Sequence, residues 1–293
     1  MSTVSTQMTS QNAKRVRTRQ QTDRFNSLLI HAVLVPVAIL WLMPVYMMFI
    51  FASMGDSALF SPKILLLPGK EAWSNLVNLQ ADTAFLRTLF NSVVVGIVYT
   101  ILSVTLTAMA GWALVRYQFY GKTVVTALIL GTMTLPFFVV VIPQFIMIAR
   151  DFGMANTWVA LILPPLFNSL GVLFMRQAFS MLPKELFEAA QVEGVKEWQI
   201  FLYVALPLAR PMIAALSIIL FLHSWNNYLW PLLITNERSM MTAPVALGSL
   251  IGNTDISWGS IMMGASLLTA PMLAVFIFLQ RHFMAGITAG AVK

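Results

Sequence analysis

The sequence of 293 residues contains no cysteine. That excludes a disulfide framework and a thiolate metal site, and it leaves the compartment open. Charge is scarce as well. Asp, Glu, Lys and Arg make up 10% of the chain, against about 25% in soluble globular domains, so a soluble domain is excluded. The three histidines, His31, His223 and His282, lie far apart and form no i, i+4 pair, so nothing supports a metal site. No tandem repeat of short period is present. Nor does any acidic residue interrupt the long apolar runs, so there is no intramembrane carboxylate for a proton relay.

What the chain holds instead is apolar surface: 58% hydrophobic residues and a mean hydropathy of +0.79. A bilayer core of about 30 Å needs about 20 apolar residues in a helix. Six stretches meet that length: Leu28–Phe51, Thr88–Val115, Thr123–Ala149, Thr157–Met175, Pro211–Ile234 and Gly259–Gln280. The first is longer than the apolar region of a signal peptide and is followed by no small-residue cleavage site, so it is predicted to remain as an anchor. The fold class expected is therefore all-α, a polytopic membrane protein with six transmembrane helices.

Six spans put both termini on one side, together with loops 116–122 and 176–210. That side carries 13 of the 18 Lys and Arg residues, including the cluster Lys14, Arg15, Arg17, Arg19 and Arg24. The positive-inside rule makes it cytoplasmic. The net charge of +7 thus orients spans and does not point to nucleic acid. The chain divides into a polar cytoplasmic N-terminus, 1–27, whose composition predicts disorder, a first anchor helix, 28–51, and an external loop, 52–87. A five-helix core, 88–280, follows, with a cytoplasmic loop at 177–210 and a cytoplasmic tail at 281–293.

Eight of the 14 prolines lie in the interior of the expected spans, among them Pro136, Pro143, Pro164, Pro165 and Pro231. A proline removes a backbone donor and kinks a helix. Within a bilayer such breaks persist where neighbouring helices or a water-lined cavity satisfy the freed carbonyls. Proline is also simply commoner in membrane helices. The Pro164-Pro165 pair and Pro143-Gln144 point to a cavity near mid-membrane.

The cytoplasmic loop is the most informative stretch. Pro183 suits a first helical position, and the run Lys184-Glu185-Leu186-Phe187-Glu188-Ala189-Ala190-Gln191-Val192-Glu193 follows it. Leu186, Phe187 and Ala190 share a helix face, and Gly194 suits a left-handed helix end. A second helical run, Lys196 to Tyr203, is predicted to stop at Leu206-Pro207. On these residues alone, the loop could equally be a surface hairpin that joins two spans.

Glu188-Ala189-Ala190, then Gly194, then Leu206-Pro207-Leu208 and Pro211 resembles the "EAA" loop of the membrane subunits of bacterial ATP-binding-cassette (ABC) importers. The run Trp225-Asn226-Asn227-Tyr228-Leu229-Trp230-Pro231 and the ending Gln280-Arg281-His282-Phe283, with Gly286-Ile287-Thr288-Ala289-Gly290, are similar to the carbohydrate-uptake branch, in particular its maltose-type second permease. The resemblance spans about residues 28–293. Two positions depart from the pattern: Glu193-Gly194-Val195 stands where Asp-Gly-Ala is usual, and Ala205 replaces a larger aliphatic residue.

The resemblance implies a binding-protein-dependent permease of type I core architecture in the bacterial inner membrane, not an enzyme. Implied partners are a second homologous permease, two ATP-binding-cassette ATPase subunits and an external solute-binding protein, besides the lipid bilayer. No cofactor is implied in this chain, because ATP and Mg would sit on the ATPases. The loop would dock into a groove of the ATPase through Leu186, Phe187, Glu188, Ala189, Ala190, Gly194 and Pro207, with Glu188 pairing with a basic residue there. The tail, through Gly286, Thr288 and Gly290, would insert between the ATPases. The segment Gly121-Lys122-Thr123 resembles the end of a phosphate loop, but the required first glycine is Arg116. It reads as a positive-inside turn.

His223, Asn226, Asn227 and Trp230 follow helical spacing and form one stripe. Polar groups in a span usually face the bundle interior or a cavity, and amides beside an indole suit a polyhydroxylated ligand. Asn168 and Gln144 join them as weaker members of a substrate path. The competing account is hydrogen bonding between helices. A secondary transporter or channel is the alternative function, and the missing intramembrane acids count against it.

Overall fold

The computed structural model describes residues 27–28, 30–61, 66–252 and 256–288, with side chains as far as Ile277 apart from that of Val275. Among the described residues the chain is helical, with no strand. The principal helices are α1 (Ile30–Phe51), α2 (Ala72–Thr83), α3 (Phe85–Arg116), α4 (Lys122–Thr134), α5 (Phe137–Phe145) and α6 (Trp158–Ile162). After them come α7 (Ser169–Ser180), α8 (Lys184–Val192), α9 (Arg210–Trp225), α10 (Leu229–Ile234), α11 (Ala243–Ser249) and α12 (Trp258–Thr288).

The organising element is α3, whose 32 residues include no proline and rise about 48 Å. Its buried face carries small residues at three- and four-residue steps: Ser92, Gly96, Thr100, Ser103, Thr107 and Gly111. Such a stripe lets neighbouring backbones come close. The hydroxyls cost little there, because Thr100 donates to the Gly96 carbonyl at 2.6 Å and Thr107 to the Ser103 carbonyl at 2.7 Å. Helices α7 and α9 pack along this stripe. A β-carbon at Gly111 would stand 2.7 Å from the Arg176 nitrogen, and one at Gly96 would stand 3.0 Å from the Phe221 ring.

Among the described residues, two of the six expected spans, α1 and α3, are single helices long and apolar enough to cross a bilayer. The stretch Thr123–Ala149 is broken instead. Helices α4 and α5 meet at Leu135-Pro136, and the chain bends by 95° there. Thr157–Met175 is also broken, into α6 and α7, with Pro164-Pro165 in the intervening turn. Pro211–Ile234 is divided at Asn226–Tyr228 between α9 and α10. The physical reason is shared by the first two: proline supplies no N–H and disfavours helical backbone in the residue before it. At the third break α9 ends at Trp225, and Pro231 falls inside the first turn of α10, where its missing donor is harmless. Helix α12 runs on past the expected end at Gln280 to Thr288.

The external segment is folded rather than a plain loop. Buried Asn75 of α2 donates to the carbonyls of Ala52 (3.0 Å) and Met54 (2.9 Å), tying α2 to the end of α1. Asp56 accepts from the Gly259 N–H at 3.0 Å, tying the same end to the start of α12. Beyond this corner α1 is mostly exposed, and its row of Val, Leu, Ile and Trp side chains faces away from the rest of the chain. That is the pattern of a helix whose solvent is lipid or another membrane subunit. The expected 1–26 part of the disordered N-terminus lies outside the described residues, as does Gly290 of the tail.

Candidate functional site: an interrupted-helix cavity and the loop at 177–210

The three helix breaks converge on one cavity of about 900 Å³, at the large end of the range for small-molecule sites. Gln144, Asn168, His223, Asn226, Asn227 and Trp230, the six residues read from the sequence as a substrate path, all line it. They do not get there as one helical stripe. His223 is on α9, Asn226 is the residue that ends α9, Asn227 follows in the turn, and Trp230 is in α10. Asn168 enters from the turn before α7, and Gln144 from α5 beside Pro143. Pro164 and Pro165 stand in the same wall.

The asparagines are at the breaks for a local reason. Asn168 caps α7, its side-chain oxygen accepting from the Gly171 N–H at 2.8 Å, and Asn227 accepts from the Trp230 N–H at 3.4 Å. An asparagine oxygen satisfies one of the free donors of a helix start, and its amide nitrogen remains a donor for something else. Trp230 corrects the sequence reading. Its side chain is 2% exposed and its indole N–H donates to the Ala160 carbonyl at 2.9 Å. The donor is therefore spent on α6, and Trp230 shapes the wall without offering a hydrogen bond.

Three further polar residues in the wall escaped the sequence reading: Thr132, Ser169 and Tyr228. The hydroxyls of Thr132 and Ser169 meet at 2.6 Å across α4 and α7. Single hydroxyl residues in apolar runs carry no signal, since most of them bond their own helix. Tyr228 was within the quoted motif, but only the structure shows its ring packed over Gly248 of α11, where a β-carbon would come within 2.7 Å. Behind the wall, the Tyr99 ring of α3 stands 6.3 Å from that of His223.

In the loop at 177–210, α8 covers Lys184–Val192, with Pro183 immediately before it. Gly194 follows with φ of +81° and open space where a β-carbon would lie, the left-handed turn expected of it. Glu188, Ala189 and Leu186 are exposed on α8. Phe187 is not, and this is the second correction: it is 5% exposed and its ring packs edge-on against Trp112 of α3, centroids 5.0 Å apart. Phe187 anchors the helix from beneath, while the outward apolar surface comes from Leu186 and Val192. The second helical run is continuous from Glu197 to Leu208 and the chain turns by 79° at Ala209, so Pro207 lies within a helical turn and does not stop it. Arg116, which ends α3, forms a two-pronged pair with Glu197, Nε–Oε2 3.1 Å and Nη2–Oε1 2.7 Å, and also reaches the Gln191 side chain at 2.9 Å. The guanidinium beside Glu197 holds that carboxyl below its ordinary value. In the turn at Gly121, Lys122 gives its ammonium to the Tyr117 carbonyl at 2.9 Å, which leaves no resemblance to a phosphate cradle.

Residues 103–288 match the family profile of binding-protein-dependent transport system inner membrane components. The chain belongs to this family. It is therefore a permease component of an ABC import system and not an enzyme. The arabinooligosaccharides transport system permease of Halalkalibacterium halodurans is 35% identical over 240 residues, covering 82% of this chain and 84% of that protein. The lactose transport system permease of Rhizobium radiobacter is 32% identical, covering 90% and 95%. The sn-glycerol-3-phosphate transport system permease of Yersinia enterocolitica is 32% identical, covering 88% and 94%. A chain of a bacterial ABC transporter for alginate import superposes with a TM-score of 0.75 at 21% identity, over 89% of this permease and 98% of that chain. It establishes the shared fold.

Proposed function

We propose that this permease forms one half of the translocation path of an ABC importer and that its cavity takes a carbohydrate or a related polyol. The observation that carries the substrate class is the cavity wall. Amides at Gln144, Asn168, Asn226 and Asn227 stand among aromatic and aliphatic side chains there, donors and acceptors for hydroxyls beside apolar surface for the faces of sugar rings. The names of the relatives, which concern arabinooligosaccharides, lactose and glycerol phosphate, support the same class. In this reading the chain crosses the bacterial inner membrane six times in a type I permease core, with both termini cytoplasmic. A second homologous permease completes the path, an external binding protein delivers the solute, and two ATPase subunits hold ATP and Mg.

Glu188, Ala189, Ala190 and Leu186 would face the ATPase, with Gly194 permitting the turn, Phe187 and Pro207 supporting the loop, and the tail around Gly286, Thr288 and Gly290 making a second contact. A short amphipathic helix in a partner groove is a familiar recognition mode, and a charged anchor at Glu188 fixes its register more than it adds affinity. The test is ATP hydrolysis by the reconstituted importer with its binding protein, titrated against a panel of oligosaccharides, polyols and amino acids. Stimulation by sugars or polyols alone is expected. Stimulation by amino acids and not by any sugar would overturn the substrate class.

A further inference from the structure

We infer that the cytoplasmic end of α3 is the element that passes movement of the loop to the cavity, through Trp112 and Arg116, and that Arg116 is its positioning residue. The inference rests on the coupling role proposed above for the loop. Trp112 and Arg116 are four apart, so they project from one face of α3. Trp112 is the apolar grip. Its ring contacts Phe187 of α8 at 5.0 Å, Phe179 of α7 at 5.4 Å and Phe201 of the second loop helix at 6.0 Å, so three segments share one pivot.

Arg116 is the polar grip. One guanidinium holds Gln191 near the end of α8 and, with two bonds, Glu197 at the start of the next helix. These two residues flank the Gly194 turn. A turn with open space beside its left-handed residue transmits little by itself, because no side chain of another element packs where its β-carbon would lie. Clamping its two sides to one planar cation makes the loop move as a body with α3. The fork geometry matters, since a guanidinium fixes both partners where a flexible ammonium would hold a point. The arginine side chain is 16% exposed, sheltered enough to weaken screening by salt.

The middle of the same helix reaches the cavity wall. Ser103, about 20 Å up α3 from Arg116, donates to the Leu166 carbonyl at 3.0 Å. Leu166 directly follows Pro164-Pro165 in the cavity wall. One turn further, Tyr99 backs His223. A displacement of the loop that drags α3 therefore reaches the proline turn and the His223 side of the cavity directly from α3, without being relayed along the length of α9.

The test uses the assembled importer with its binding protein. Arg116→Glu and Glu197→Arg, each alone, are expected to leave ATPase capture and basal hydrolysis unchanged while stimulated hydrolysis and uptake fall at least tenfold. The double exchange is expected to restore at least half of both, because Gln191 can turn its amide to serve either charge. Arg116→Lys is expected to fall between, charge kept and fork lost. Near wild-type stimulation in the single variants overturns the inference. So does a loss confined to complex yield with normal stimulation per complex, which marks a packing role, and so does a loss that the double exchange does not recover. Absence of binding-protein stimulation in the wild-type complex is a separate result, and it overturns the coupling reading on which the inference rests.

Discussion

The cavity wall and the loop at 177–210 are built in opposite ways. The wall is made where helices stop: α4 and α5 part at a proline, α6 and α7 at a proline pair, α9 and α10 at two asparagines. Side chains at such ends serve first as caps and keep donors to spare. The loop is made of short helices pinned from below by a buried ring, Phe187 on Trp112, and from the side by Arg116 on Glu197. Spare polar groups on interrupted backbone suit a solute that must bind and leave. Buried anchors under a small surface suit a segment that must carry force. The contrast teaches where each kind of substitution will act: in the loop on integrity and coupling, in the wall on the solute.

The sharpest way to break this contrast is at Phe187. Phe187→Ala should cost about 3–5 kcal/mol, the usual range for emptying a buried aromatic site, and should be read as a lower melting temperature and a smaller yield of purified permease. Leu186→Ala, one residue away but exposed, should change stability by no more than about 0.5 kcal/mol and should weaken ATPase capture instead. If both variants behave alike, the loop has no inner and outer face.

Next in size is Gly194→Val. A side chain in the left-handed region costs about 1–2 kcal/mol, and no neighbouring atom obstructs the new side chain. Uptake should fall with expression kept. Wild-type uptake at normal expression would mean that the turn does not matter to coupling.

Asn227→Ala should have a smaller effect and one confined to the wall. Losing one hydrogen bond is worth about 0.5–1.5 kcal/mol, so the substrate concentration for half-maximal uptake should rise by up to about tenfold while ATPase capture stays normal. Unchanged uptake kinetics would move the solute contacts to the partner permease and leave Asn227 as a helix cap. The smallest effect is expected from acid. Glu197 has its pKa depressed by Arg116, so its contribution is present above the ordinary carboxylate value and is lost only as pH falls through the depressed one. Loop stability should stay flat from neutral pH down through the ordinary carboxylate range and drop below it, and Glu197→Gln should abolish that drop. Because the carboxylate is partly exposed, solvent screening keeps the step small. Thermal unfolding of both proteins across that pH range is the measurement.

How far the sequence could be read follows from the range of each signal. Apolar runs and charge bias are local, and they fixed the helical class, the first anchor, α3 and the cytoplasmic assignment of the loop as expectations. Gly194 and the Gly121 turn were legible because the conformations they need belong to single residues, whereas Pro183 stands one position before the first helical residue, as the cap of α8. Pairing was not legible. Arg116 looked like one more positive charge at a span end, and its partner Glu197 lies 81 positions away. Phe187 and Leu186 are neighbours of the same hydrophobic kind, and only the position of Trp112 decides that one is buried and the other exposed. Trp230 carries the same lesson, because its donor is consumed by a carbonyl 70 positions back.

The sequence by itself determined that this chain lives in a bilayer and where its helices are liable to break, since hydrophobicity and proline act on the nearest residues. The tertiary structure alone decided that three breaks open onto one cavity and that one helix end grips both sides of the loop. Those arrangements depend on how closely helices approach, and that is set by small residues such as Gly96 and Gly111, whose effect exists only when the partner helix is in place.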